Sequence, residues 1–207
     1  MIITKLLSAL ACAIVIPVTT GIGFTNAAEI KVTEDPIENK DPAAPEWARH
    51  LFYVRVEGDI EKGDGEKFGR IVSRLPLLMA VVILDSTGGN LEGALQIGKE
   101  INVRGYSTSV ESEKVCASAC ALVWLAGDKR YMEPTSRIGF HAASLSGSNS
   151  ITGEGNAMIG AYLNSIDISV DAIRYITRPS PTDLQWLSIR DAMRIGINVA
   201  IPSETGK

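Results

Sequence analysis

The chain has 207 residues, of which 45% are hydrophobic and 21% charged, and a formal net charge of -4, a composition that fits a globular domain rather than a disordered or fibrous chain. The acidic balance and the 6% of aromatic side chains exclude a polyanion-binding face, because phosphate contacts need clustered Lys and Arg; no nucleic-acid partner is expected. A chain of this size can bury about 70% of the surface exposed on unfolding, so one domain holds together without a metal or disulfide staple.

Residues 1–27 read as a secretory signal peptide: Lys5, an apolar run over 6–18, then small residues at Thr25 and Ala27 before a cut at Ala28. The run is shorter than the roughly 20 residues of a bilayer span. A periplasmic or secreted protein is therefore expected, an uncleaved N-terminal membrane anchor being the alternative. Residues 28–49 hold Pro36, Pro42 and Pro45 among acids and alanines with no apolar period, which reads as a flexible tether. The domain is placed at 50–201 and a tail at 202–207.

Within the domain, 51–56 suits a strand closed by a turn at Gly58, and 68–75 a short helix ended by Pro76. The continuous apolar run 80–84 marks a strand covered on both faces, as in parallel sheets. It stops at the loop 85–90, and a helix over 91–103 capped by Gly105 follows. Residues 106–110 are strand-like, 116–124 read as a buried helix ending at Gly127, and 130–132 and 138–141 as short strands. A Gly/Ser loop over 144–155 precedes helices at 156–166 and 169–177. A last helix, with Thr182 and Gln185 as a capping box, runs to Gly196. The alternation of strand and helix predicts an α/β fold with a largely parallel sheet.

Three features fall at strand ends: the Gly88-Gly89 turn, Ser118 entering a helix, and His141. A glycine pair lets backbone N–H groups face a cleft with no Cβ in the way, as an oxyanion hole requires. A serine at a helix N-terminus puts developing negative charge at the positive end of the dipole. A histidine can take the serine proton and return it to the leaving group. Taken singly, each feature is more often a plain turn, a helix-start serine or a structural strand-end residue. Two histidines, His50 beside the tether, offer no zinc site, and no metal or cofactor is expected.

In order and spacing, Asp85-Ser86-Thr87-Gly88-Gly89-Asn90, Ala117-Ser118-Ala119-Cys120-Ala121, Ala126-Gly127 and Arg137-Ile138-Gly139-Phe140-His141 resemble the Clp-type serine peptidases of the Clp protease/crotonase fold, and their exported, stand-alone relatives in particular. The resemblance implies a layered β-β-α spiral, Ser118 as nucleophile, His141 as general base, and the Gly89 and Ala119 N–H groups as oxyanion hole. It places the triad acid at Asp183, before the terminal helix, with Asp167 and Asp171 as alternatives. The chain departs from the family in Ser-Thr-Gly-Gly, where Ser-Pro-Gly-Gly is common, and in the cysteines bracketing the serine. Cys116 and Cys120 are either a bridge that rigidifies the nucleophile or two buried small side chains. A serine–lysine dyad, with Lys114 or Lys129 as base, is the competing chemistry.

These readings lead to an exported serine endopeptidase acting on flexible peptides or unfolded protein. No Walker-type loop is present, and no ATPase partner is expected; a homo-oligomer is left open. The alternatives are a catalytically inactive peptide-binding module on the same fold and a crotonase-like acyl-transfer enzyme.

Overall fold

The computed structural model describes residues 27–36, 50–145 and 148–201. Nearly all of the signal peptide, the second part of the tether and the tail lie outside the described residues. Strands β1 (Glu29–Pro36) and β2 (His50–Glu57) precede helix α1 (Asp64–Val72); β3 (Ala80–Asp85), α2 (Leu91–Arg104) and β4 (Ser107–Val110) follow. Then come β5 (Val115–Ala117), α3 (Ala119–Trp124), β6 (Arg130–Met132), β7 (Arg137–Phe140), α4 (Gly153–Ser165), α5 (Val170–Thr177), β8 (Gln185–Trp186) and α6 (Ile189–Ile195).

Five strands make one sheet in the order β1-β2-β3-β4-β6, and three make a second in the order β5-β7-β8. The contacts β2–β3, β3–β4, β4–β6 and β5–β7 are parallel. The apolar run of β3 sits in the middle of the larger sheet, with Val82, Ile83 and Leu84 buried, as a strand covered on both faces should be. Helix α2 starts where the Asn90 side chain accepts the Gly93 N–H at 2.9 Å, and ends at Gly105 in the left-handed region, φ 63°.

Helix α3 is wholly buried, all six of its residues being enclosed. Its polar backbone is satisfied from outside: Thr108 Oγ1 donates to the Trp124 carbonyl at 2.7 Å, and the Tyr162 hydroxyl to that of Leu122 at 3.1 Å. Burial raises the Tyr162 pKa, so the hydroxyl remains the donor this bond needs. Truncating the fully buried Trp124 would cost about 3–5 kcal/mol, so the helix that begins beside Ser118 is held firmly.

Three expectations need correction. Residues 29–36, read as tether, form β1 and pair antiparallel with β2 from Glu29↔Glu57 to Pro36↔His50. The strand is at a sheet edge and almost wholly exposed, so no apolar period marks it. The helix read from 116 begins only at Ala119, because Val115, Cys116 and Ala117 pair with Arg137, Ile138 and Gly139 of β7. The capping box at Thr182 and Gln185 is not formed. Gln185 and Trp186 pair with β7, and Ser188 caps α6 by accepting the Asp191 N–H at 3.0 Å.

Candidate active site

Strand β5 ends at Ala117 and α3 begins at Ala119, which leaves Ser118 to turn the chain. It does so at φ 55°, ψ -125°, a conformation unfavourable for any residue with a Cβ. Two linkages hold it there. The Ser118 N–H donates to the Gly139 carbonyl at 2.8 Å, which continues the β5–β7 ladder. Cys116 and Cys120 are joined by a disulfide across the turn, with Cα atoms 5.2 Å apart.

The glycine loop lies against this turn. Gly88 and Gly89 have φ 112° and 130°, and a Cβ on Gly88 would stand 2.7 Å from Ser118 Cβ and 3.0 Å from Ala119 N. On its other side the loop is pinned by Ile60, whose N–H donates to Gly88 at 2.8 Å and whose carbonyl accepts from Asn90 at 2.6 Å. Those bonds take the Gly88 carbonyl and the Asn90 N–H; across a trans peptide the Gly89 N–H and carbonyl point the opposite way, and Gly89 lines the cleft. Among the described residues, neither the Gly89 nor the Ala119 N–H has an acceptor. The latter belongs to the first helical position, whose donor has no intrahelical partner.

Ser118, Gly89, Ala119 and His141 line one cleft of about 810 Å³. Its inner wall is apolar, with Leu122, Phe140, Ile159 and Ile176. Its rim carries Asp59, Glu61, Glu92 and Glu154, with Lys62 as its cation. Glu92 pairs with Lys62 at 2.9 Å and Asp59 accepts from Thr87 Oγ1 at 2.8 Å, so the rim is negative overall.

His141 stands just beyond β7, and its Nδ1 is 2.7 Å from the Ala142 carbonyl oxygen. A carbonyl only accepts, so Nδ1 carries the proton and Nε2 is left with the lone pair. That is the tautomer a general base needs.

Asp183 does not reach this ring. It is exposed, lies outside the cleft lining, and spends its N–H on the Ser180 carbonyl at 2.9 Å. The reason is the missing helix start: with 185–186 drawn into the sheet, Asp183 sits on the turn before β8. The alternatives are also elsewhere, Asp171 paired with Arg174 at 3.4 Å and Asp167 on an exposed turn at φ 59°. Lys114 faces away from the cleft, its Nζ 2.6 Å from Asp85 Oδ2. That bond raises the lysine pKa, the opposite of what a lysine base requires. Lys129 is exposed at the other end of the sheet, before β6. His50 lies in β2 beside Glu34 of β1.

Sequence reasoning missed two parts of the site. Ile60 is an isolated apolar residue among polar ones, and its role as a backbone clip leaves no side-chain signature. The Ala142 carbonyl, as main chain, leaves none at all.

Comparison with family models finds no match, and neither does comparison with curated protein sequences. Among solved structures, the chain is similar to two mutants of the 1510-N membrane-bound stomatin-specific protease, one of them in complex with a substrate peptide. Identities are 17% and 18%; the match covers 73% of this chain in both cases and 78% and 74% of those chains, with TM-scores of 0.53 and 0.54. A ClpP1 mutant from Listeria monocytogenes is 19% identical over 74% of this chain and 92% of that one, with a TM-score of 0.49. The fold is α/β of the Clp protease/crotonase type, with the largely parallel sheet expected from the strand–helix alternation.

Proposed function

We propose that the protein is an exported serine endopeptidase that cleaves flexible peptide segments without ATP. One observation carries the reading: Ser118 is held at an unfavourable turn beside two acceptor-free N–H groups, in the cleft that also holds His141. In the reaction, Nε2 of His141 takes the Ser118 proton as Oγ attacks the scissile carbonyl. The Gly89 and Ala119 N–H groups receive the oxyanion, and His141 then protonates the leaving amine. Water repeats the sequence on the acyl-enzyme. The Ala142 carbonyl, in place of a triad carboxylate, orients the ring. It offers less stabilisation to an imidazolium than a full negative charge does, so turnover is slow. The apolar wall accepts an apolar side chain beside the cleaved bond.

That no carboxylate among the described residues pairs with His141 is the specific observation that favours a second reading, a peptide-binding module without turnover. An acyl-transfer enzyme working on a coenzyme A thioester fits less well, because the acidic rim repels a polyphosphate carrier. Incubation with an unfolded protein substrate in the absence of nucleotide is the test. Cleavage by the wild type and none by Ser118→Ala supports hydrolysis. An intact substrate that co-elutes with both proteins supports the binding module.

A further inference from the structure

Asp64 is the only carboxylate among the described residues that is buried, at 2% exposure. It opens α1, and its Oδ2 accepts two backbone N–H groups, from Glu61 at 2.8 Å and from Ala28 at 3.1 Å. No lysine, arginine or histidine among the described residues forms an ion pair with it. The nearby Lys67 ammonium donates instead to the Ala28 carbonyl at 2.8 Å. A carboxylate removed from water is costly unless a counter-charge accompanies it. The nitrogen aimed at this one belongs to Ala28, itself fully buried, and Ala28 is the residue before which the small-residue pattern of Thr25 and Ala27 places a cut.

We propose that hydrolysis of the Ala27–Ala28 bond makes Ala28 the N-terminus of the working protein and its α-ammonium the counter-ion of Asp64. A leader peptidase adds water across the amide: the Ala27 carboxylate leaves with residues 1–27, and the Ala28 nitrogen takes up protons to become an ammonium at neutral pH. The cut precedes folding, because Ala28 is enclosed afterwards. It gives up the single bridge between Ala27 and Asp59 and turns an amide–carboxylate bond into a charge pair in a buried setting.

The pair does more than anchor β1. The same Asp64 oxygen holds the Glu61 N–H, and the neighbouring Ile60 clips the glycine loop through Gly88 and Asn90. The new N-terminus therefore braces the wall of the cleft from behind. This inference is independent of whether the cleft hydrolyses anything.

The test begins with the full chain passed through a bacterial export pathway and recovered. Intact mass and N-terminal sequencing should place the first residue at Ala28. Melting temperatures are then compared between this protein and the same chain with Ala27 retained at its start, each with Asp64 and with Asp64→Asn. Retaining Ala27 should lower the midpoint by roughly 5 °C when Asp64 is present and, because it restores the Ala27–Asp59 bridge, should not lower it in the Asp64→Asn background. If Asp64→Asn does not fold, the comparison between the two chains with Asp64 decides alone. A first residue other than Ala28, or equal midpoints for those two chains, overturns the proposal.

Discussion

Gly88→Ala tests the architecture of the site from its most crowded point. The new Cβ would stand 2.7 Å from Ser118 Cβ, 2.8 Å from the Ala117 oxygen and 3.0 Å from Ala119 N, at a backbone φ of 112°. None of these neighbours is the end of a flexible side chain, so the turn itself must move. The unfavourable φ costs about 1–2 kcal/mol and overpacking about 1–3. The sum, roughly 2–5 kcal/mol, corresponds to a fall in Tm on the order of 10 °C for a domain of this size. Displacing one oxyanion donor adds a loss of about 100-fold or more in reaction at the serine. Gly160→Ala is the control: it lies inside α4 with nothing within 4 Å of the added Cβ, and the better helix former should add about 0.5–1 kcal/mol of stability. Thermal unfolding by circular dichroism and the rate of labelling by an active-site serine reagent read both effects. A Gly88→Ala protein that melts within 2 °C of the wild type and reacts normally, on the scale of these costs, would refute the packing of the glycine loop against the serine turn.

Three further outcomes follow from the same geometry. Ser118→Gly and Ser118→Ala should both be inactive, but the glycine variant should be the more stable by about 1 kcal/mol in denaturant unfolding, because only it relieves the φ of 55°; equal stabilities would contradict the strained turn. Asp183→Asn should keep kcat within about twofold, since the side chain is exposed and away from His141, and a loss of orders of magnitude would restore it to the triad. Opening the Cys116–Cys120 bridge should cost about 2 kcal/mol by the loop-closure relation and slow labelling at Ser118; two free thiols in the unfolded, unreduced protein would contradict the bond.

What was legible in the sequence was legible because it is local. The run 80–84 shows a strand covered on both faces, and Asn90 and Gly105 bracket α2 with groups that act within one turn. Strand β1 stayed hidden because its hydrogen bonds, not its side chains, join it to the sheet; one side chain of its eight is even half-buried. Strand β5 is three residues long and is decided by β7, some twenty residues on. The pull of Trp186 and Gln185 toward the same strand removed the helix start on which Asp183 depended. Within the site, the glycines, the serine, the histidine and the cysteine pair announce themselves by residue type. The histidine's partner does not, because a main-chain carbonyl can belong to any residue.

Mass mapping of the chain after reaction with a fluorophosphonate reads the reactivity of Ser118 directly. A single adduct on Ser118 is expected, absent in Ser118→Ala and formed far more slowly in His141→Ala, because an unassisted serine is a poor nucleophile at neutral pH. No adduct, or one on another residue, would contradict the assignment of Ser118 as an activated nucleophile.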